Sequence, residues 1–170
     1  MKANVRFLAY AAILAALYVI LALLQELILP GSGSLAIQFR AAEALCVFAL
    51  FTPAAIPGLT LGCLLFNLIS AGALPLDFLI GSAATLLSTL SAYLLRRVRL
   101  GKLPLASLLM PALFNGVLVG MELWLFLGEL PLWLSMLYVA AGEAAVMLSL
   151  GTALYFACSS RRFDERFFGR

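Results

Sequence analysis

Seven polar side chains interrupt long apolar stretches of this sequence, and their chemistry suits the binding of a small polar molecule. They are Arg40, Glu43, Asn67, Asp77, Asn115, Glu122 and Glu143. A carboxylate accepts two parallel N–H bonds, and an amide offers both a donor and an acceptor. The set therefore favours a ligand with several N–H donors and a ring carbonyl, and the edge of guanine has that pattern.

The spacing of these residues places some of them together. Arg40 and Glu43 are three residues apart, and Asn115 and Glu122 are seven apart, so in helices each pair shares one face. Glu143 is the strongest single candidate, because it lies deep in an apolar stretch among small neighbours that leave space. Ionisable groups inside a membrane usually face an interior cavity or a partner.

Each candidate also has a purely structural explanation. Arg40 and Glu43 can form an intrahelical ion pair close to the membrane surface. Asn115 can bond a neighbouring helix, as amides often do in membranes, and a carboxylate such as Asp77 suits a helix N-terminus. Glu143 can be a buried structural carboxyl. The sequence leaves these alternatives open.

The elements that must position these residues are membrane-spanning helices. Only 11% of the 170 residues are charged and 65% are hydrophobic, whereas soluble domains carry about 25% charged residues. A bilayer core requires roughly 20 apolar residues per helix. The apolar stretches cover 7–24, 35–52, 54–70, 74–95, 103–127 and 132–157. We therefore predict one all-α membrane domain over residues 1–170, a bundle of six transmembrane helices.

The distribution of positive charge predicts the orientation of this bundle. Of the 11 Lys and Arg residues, all except Arg40 lie near the N-terminus, within 96–102 or in the C-terminal tail. Such residues favour the cytoplasmic side, so we expect both termini there and the tail on membrane lipid. The candidate residues then lie in the outer half of the membrane, while the inner halves look almost purely apolar. This predicts an outward-facing pocket.

Composition also limits the chemistry. The chain contains no His, and Cys46, Cys63 and Cys158 are isolated from one another in apolar segments, so we expect neither a metal site nor a cofactor. An intramembrane enzyme is disfavoured because Ser-His and His-metal schemes are unavailable. The basic flanks suit anionic lipid and not nucleic acid.

The first apolar stretch carries a second kind of signal. Ala11 with Ala15, and Ala12 with Ala16, form two overlapping small-xxx-small pairs, which allow another helix to approach closely. Together with an outward-facing pocket, these alanines predict a docking face for another membrane protein.

Several motifs together resemble the QueT family over about residues 7–157. They are Ile37-Gln38-Phe39-Arg40 with Glu43-Ala44-Leu45, Pro53-Ala54-Ala55-Ile56-Pro57-Gly58-Leu59, Gly62-Cys63 with Asn67, Asp77 with Gly81-Ser82, Asn115-Gly116 with Gly120, and Gly142-Glu143. Members of this family are substrate-binding (S) components of energy-coupling factor (ECF) transporters associated with queuosine precursors.

The resemblance implies a function. Its expected partners are a transmembrane coupling subunit, which docks on the alanine face, and two cytosolic ATPases that drive uptake. The expected location is a bacterial plasma membrane, and the expected ligand is a 7-deazaguanine such as the aminomethyl or cyano form, or queuine. Two alternatives remain: an S component for another vitamin-like metabolite, and a stand-alone secondary transporter.

Overall fold

The structure, a computed structural model, describes residues 2–30, 38–70, 73–101 and 103–159. These residues form helices and connecting segments, and their only β contact is one isolated bridge between Leu100 and Leu103. The α-helices are α1 (Lys2–Ile28), α2 (Ala55–Ile69), α3 (Asp77–Leu95), α4 (Leu105–Leu108), α5 (Met110–Leu127), α6 (Leu132–Val146) and α7 (Thr152–Cys158). A 3-10 helix covers Ala41–Leu50, and a π-helical segment, Met147–Gly151, joins α6 to α7.

The 3-10 helix Ala41–Leu50 lies at the centre of the bundle. The longer helices pack in the order α1, α2, α3, α5 and α6, and the 3-10 helix packs against α1, α2, α3 and α6. Eight of its ten residues are buried. A helix with the sequence Ala-Ala-Glu-Ala-Leu-Cys-Val-Phe-Ala-Leu presents few bulky groups, so the surrounding helices approach it closely.

This central helix differs from the membrane span predicted over 35–52. It has ten residues and a length of about 20 Å at about 2.0 Å per residue, short of the roughly 30 Å hydrocarbon core. Protein surrounds it, so it does not need the length that a lipid-facing helix requires. Residues 35–37 of the predicted span lie outside the described residues.

Among the described residues, four helical stretches are long and apolar enough to cross a membrane: Asn4–Ile28, Asp77–Leu95, Leu105–Leu127 and Leu132–Cys158. They correspond to the first, fourth, fifth and sixth predicted spans, and α2 is a shorter apolar helix. The stretch Leu105–Leu127, which corresponds to the fifth predicted span, is divided at Leu109 into α4 and α5. Helix α5 has a proline in its first turn, where the missing N–H costs nothing. The six-span count and the cytoplasmic termini stay predictions.

Helices α1 and α2 approach each other through alanine and glycine. A methyl group added to Gly58 would lie 2.6 Å from the backbone oxygen of Ala11, and one added to Gly62 would lie 2.9 Å from that of Ala15. Ala11 and Ala15 thus face α2 inside the protein, whereas Ala12 and Ala16 lie on the exposed side of α1. Of the four alanines predicted to form the docking face, only Ala12 and Ala16 are exposed. Ala11 and Ala15 pack against α2 within the protein.

The close contact between α1 and α2 predicts a strong effect of Gly58→Ala. The added methyl group meets backbone atoms, so the helices must separate, and overpacking of this kind costs about 1–3 kcal/mol. We expect a lower midpoint of thermal unfolding for the purified variant in detergent.

Gly151→Ala is the matched control, because its methyl group would meet side chains and no backbone: the flexible end of Met147 at 3.1 Å and, at an ordinary contact distance, Cγ2 of Val47 at 3.5 Å. It should keep or slightly raise the midpoint, since Ala favours a helix over Gly by about 1 kcal/mol. Equal stability of the two variants would contradict the proposed helix contact.

Candidate binding site

The carboxylate of Glu43, in the central 3-10 helix, is fully buried and accepts three hydrogen bonds. Its Oε1 accepts from the hydroxyl groups of Tyr18 at 2.6 Å and Thr85 at 3.0 Å, and its Oε2 accepts from the thiol of Cys46 at 3.1 Å. These donors belong to α1, α3 and the 3-10 helix itself. All three are uncharged, so the predicted ion pair with Arg40 does not supply the bonds that hold this carboxylate.

Arg40 precedes the 3-10 helix and points toward α2 and α3. Its Nη2 donates to Oδ1 of Asn67 at 3.4 Å, and Nδ2 of Asn67 donates to the backbone oxygen of Asp77 at 2.8 Å. A methyl group added to Gly81 would lie 2.7 Å from Nδ2 of Asn67 and 3.7 Å from Nη2 of Arg40. The absence of a side chain at Gly81 therefore makes room for this chain of contacts.

The segment 38–40 is held between α1 and α6. Gln25 of α1 donates through Nε2 to the backbone oxygen of Phe39, and its Oε1 accepts from the backbone N–H of Ala41 at 2.6 Å. On the other side, a side chain at Gly142 would collide with the backbone of Gln38. Gly142 thus allows the segment to lie against α6 beside Glu143.

A second group of buried polar atoms has no hydrogen-bond partner among the described residues. It comprises both carboxylate oxygens of Glu122 and of Glu143, both amide atoms of Asn115, Oε1 of Gln38 and, on α4, Oγ of Ser107. Their side chains are at most 3% exposed. Leaving such a group unpaired costs about 1–3 kcal/mol, and native proteins rarely do so. These atoms therefore identify where a polar ligand or water is needed.

Electrostatic interactions connect the two groups through Arg40. The guanidinium interacts with the carboxylates of Glu43 and Glu143, and it also acts on Glu122, which in turn interacts with Asp77. The structure thus brings together six of the seven predicted site residues. Asn115 is equally buried in α5, but among the described residues no hydrogen bond or electrostatic interaction joins it to them.

Sequence analysis missed four residues that organise this site. Tyr18 and Gln25 lie on the buried face of α1 at the seven-residue spacing of two helical turns, a signal that the sequence contains. Thr85 belongs to a buried hydroxyl stripe on α3, namely Ser82, Thr85, Ser88 and Thr89. Gln38 lies two residues before Arg40, within the motif Ile37-Gln38-Phe39-Arg40.

The hydroxyl stripe also corrects the prediction that the inner halves of the helices are almost purely apolar. Thr89 follows Asp77 by twelve residues, which places it about 18 Å further along α3 at about 1.5 Å per residue. The stripe bonds mainly to backbone oxygens of its own helix: Ser82 donates to Phe78 at 2.5 Å and Thr89 to Thr85 at 2.7 Å.

A family model described as QueT transporter matches residues 8–160. This chain belongs to the QueT transporter family. With its apolar helices, it is therefore a membrane transport protein, and a small molecule is its expected substrate. No curated protein and no solved structure matches this QueT-family chain.

The bonds to Glu43 predict that Tyr18→Phe destabilises the QueT-family protein. A hydrogen bond to a charged group contributes about 1.5–3 kcal/mol, and the free energy of unfolding should fall by that amount. It is measured by chemical unfolding of the purified protein in detergent.

A double-mutant cycle with Glu43→Gln supplies the control for this prediction. Tyr18→Phe should cost clearly less in the Glu43→Gln background, because the hydroxyl then no longer faces a carboxylate. Strictly additive effects would show that the two side chains do not interact.

Proposed function

We propose that this protein is the substrate-capture (S) component of an ECF-type importer and that it binds a queuosine precursor. The ligand is a 7-deazaguanine, such as the aminomethyl or cyano form, or queuine. The protein spans the bacterial plasma membrane six times with both termini in the cytoplasm. It delivers its ligand by docking on a transmembrane coupling subunit, which two cytosolic ATPases drive.

The observation that carries this proposal is the group of unpartnered buried polar atoms around Arg40. Glu143 offers two carboxylate oxygens and Gln38 offers an amide oxygen, and none of them has a protein donor in the described part of the chain. A purine-like ring with an exocyclic amine and ring N–H groups supplies such donors. Binding it removes the cost of leaving these acceptors unpaired.

The roles of the predicted site residues divide by their partners. Glu43 and Asn67 already have protein partners, so they position the 3-10 helix and Arg40. Glu143 has none, and its neighbour Gly142 brings the backbone of Gln38 against α6. In this proposal Glu143 accepts the paired N–H groups of the guanine-like edge, and Arg40 donates to a ring carbonyl.

The coupling subunit is expected on the outer face of α1. Ala12 and Ala16 are exposed there, next to Ile13, Leu17 and Ile20. Small residues flanked by large apolar ones allow close helix packing within a membrane. Because α2 occupies the opposite face of α1, a partner helix and the bundle do not compete for the same alanines.

The stand-alone secondary transporter is less well supported. Such transporters carry substrate and coupling-ion sites near the membrane midplane on discontinuous helices. Here the described ionisable groups cluster around Arg40, and the polar groups further along α3 are hydroxyls, several of which bond to their own helix. This arrangement suits capture at one side of the membrane better than conduction through the chain.

Glu143→Gln tests the assignment of the ligand. Loss of one charged acceptor should raise the dissociation constant of a bound deazaguanine about tenfold to a hundredfold, without unfolding the protein. Equilibrium binding is measured in nanodiscs with aminomethyl-, cyano- and unmodified deazaguanines, queuine, guanine, riboflavin and thiamine.

Glu129→Gln is the control for that measurement, because Glu129 is exposed in the turn between α5 and α6. It should leave every dissociation constant unchanged. If only riboflavin or thiamine bound tightly, the proposed ligand would be wrong and the protein would bind another metabolite. If a folded Glu143→Gln variant kept the affinity of the wild type, Glu143 would not belong to the site.

Uptake assays test the coupling to ATPases. Cells or proteoliposomes that contain this chain together with a coupling subunit and two ATPases should accumulate labelled ligand only when ATP is hydrolysed. The chain alone should bind ligand but not accumulate it. Accumulation by the chain alone, driven by an ion gradient, would instead establish a secondary transporter.

A further inference from the structure

Two acids, Asp77 of α3 and Glu122 of α5, lie on helices that pack against each other. Glu122 of α5 is 1% exposed, and neither of its carboxylate oxygens has a hydrogen-bond partner among the described residues. Asp77 begins α3. Residues that flank the two acids pack together in one apolar cluster: Leu74, Ile80, Val119 and Leu123. The two carboxylates are therefore neighbours, and they interact electrostatically.

The position of Asp77 is fixed by its own loop. Its Oδ2 accepts a hydrogen bond from the backbone N–H of Leu74 at 2.6 Å, and its backbone oxygen accepts from Asn67. Asp77 is only half-buried. One carboxyl group of the pair is thus held in place at the partly open end of α3, and the buried carboxyl group of Glu122 lies close enough to interact with it.

Two neighbouring carboxylates repel each other unless a positive charge or a shared proton lies between them. Arg40 acts on Glu122, but its guanidinium donates to Asn67 and also interacts with Glu43 and Glu143. One guanidinium therefore interacts with three carboxylates, and Asp77, the neighbour of Glu122, is a fourth acid in this part of the protein. A further positive charge beside Glu122 would be strongly favoured in such a site.

We propose that Asp77 and Glu122 form a subsite for a positively charged amine carried by the substrate. This subsite makes the protein prefer cationic ligands over neutral ones of the same ring. The inference rests on the proposed function, because it assigns the two ends of one ligand to two acids. Glu143 accepts from the guanine-like edge, and the Asp77–Glu122 pair receives the amine.

The test uses two probes with the same ring. In 7-aminomethyl-7-deazaguanine the side arm is an ammonium group, and in 7-cyano-7-deazaguanine it is neutral. Wild-type protein in nanodiscs should bind the aminomethyl probe at least about tenfold more tightly, as expected for one additional charge-assisted contact.

Glu122→Gln should reduce this preference about tenfold while it changes the affinity for the cyano probe less than about twofold. Glu143→Gln should lower the affinity for both probes. Asp77→Asn is the second variant, which keeps the side-chain oxygen that Leu74 uses, and it should act in the same direction as Glu122→Gln. Each titration is repeated with potassium in place of sodium.

The outcomes separate the inference from the proposed function. The amine subsite would be overturned if the wild type bound both probes with equal affinity, or if Glu122→Gln lowered the affinity for both probes equally. Either result would still describe a protein that binds deazaguanines. A sodium requirement for the cyano probe would show that the pair holds an inorganic cation and would also overturn the inference. Failure of the folded wild type to bind either probe would overturn the inference, and failure to bind queuine as well would overturn the proposed function.

Discussion

Burial of the Glu43 carboxylate is the constraint on which the rest of the structure depends. Removing an ionised carboxylate from water costs several kcal/mol unless hydrogen bonds replace the lost hydration. Here Tyr18, Thr85 and Cys46 supply those bonds from α1, α3 and the 3-10 helix. The three bonds connect α1, α3 and the 3-10 helix through one carboxylate. The bonds thereby fix the central helix, and with it the position of Arg40.

Buried polar groups in this protein divide into two classes with different roles. Glu43 and Asn67 are bonded within the protein, whereas Glu122, Glu143 and Asn115 keep acceptors or donors without partners in the described residues. The first class holds the helices in register. The second class is costly without a ligand, and the polar substrate in the proposed function would offset that cost.

Helix α1 presents small residues on two of its faces. Ala11 and Ala15 accept the close approach of α2, where Gly58 and Gly62 have no side chain to interfere. Ala12 and Ala16, one residue further along, point away from the bundle. Within a membrane the hydrophobic effect contributes little to helix association, so such close backbone contacts are a main source of stability. The same chemistry on the opposite face of α1 is available to a partner helix.

The sequence by itself determined the features that depend on local composition. Long apolar stretches with few charges can only be buried in lipid or protein, so the helical membrane fold and most helix limits were predictable, and the motifs around Arg40 and Glu143 indicated the family.

Tertiary structure decided which polar groups are paired. Tyr18 and Glu43 are 25 residues apart, and Thr85 and Glu43 are 42 apart. No helical periodicity relates such positions, so only the packing of the helices shows that Glu43 is satisfied and Glu143 is not. The short 3-10 helix was unpredictable for the same reason, because its length depends on the protein that surrounds it and not on its own residues.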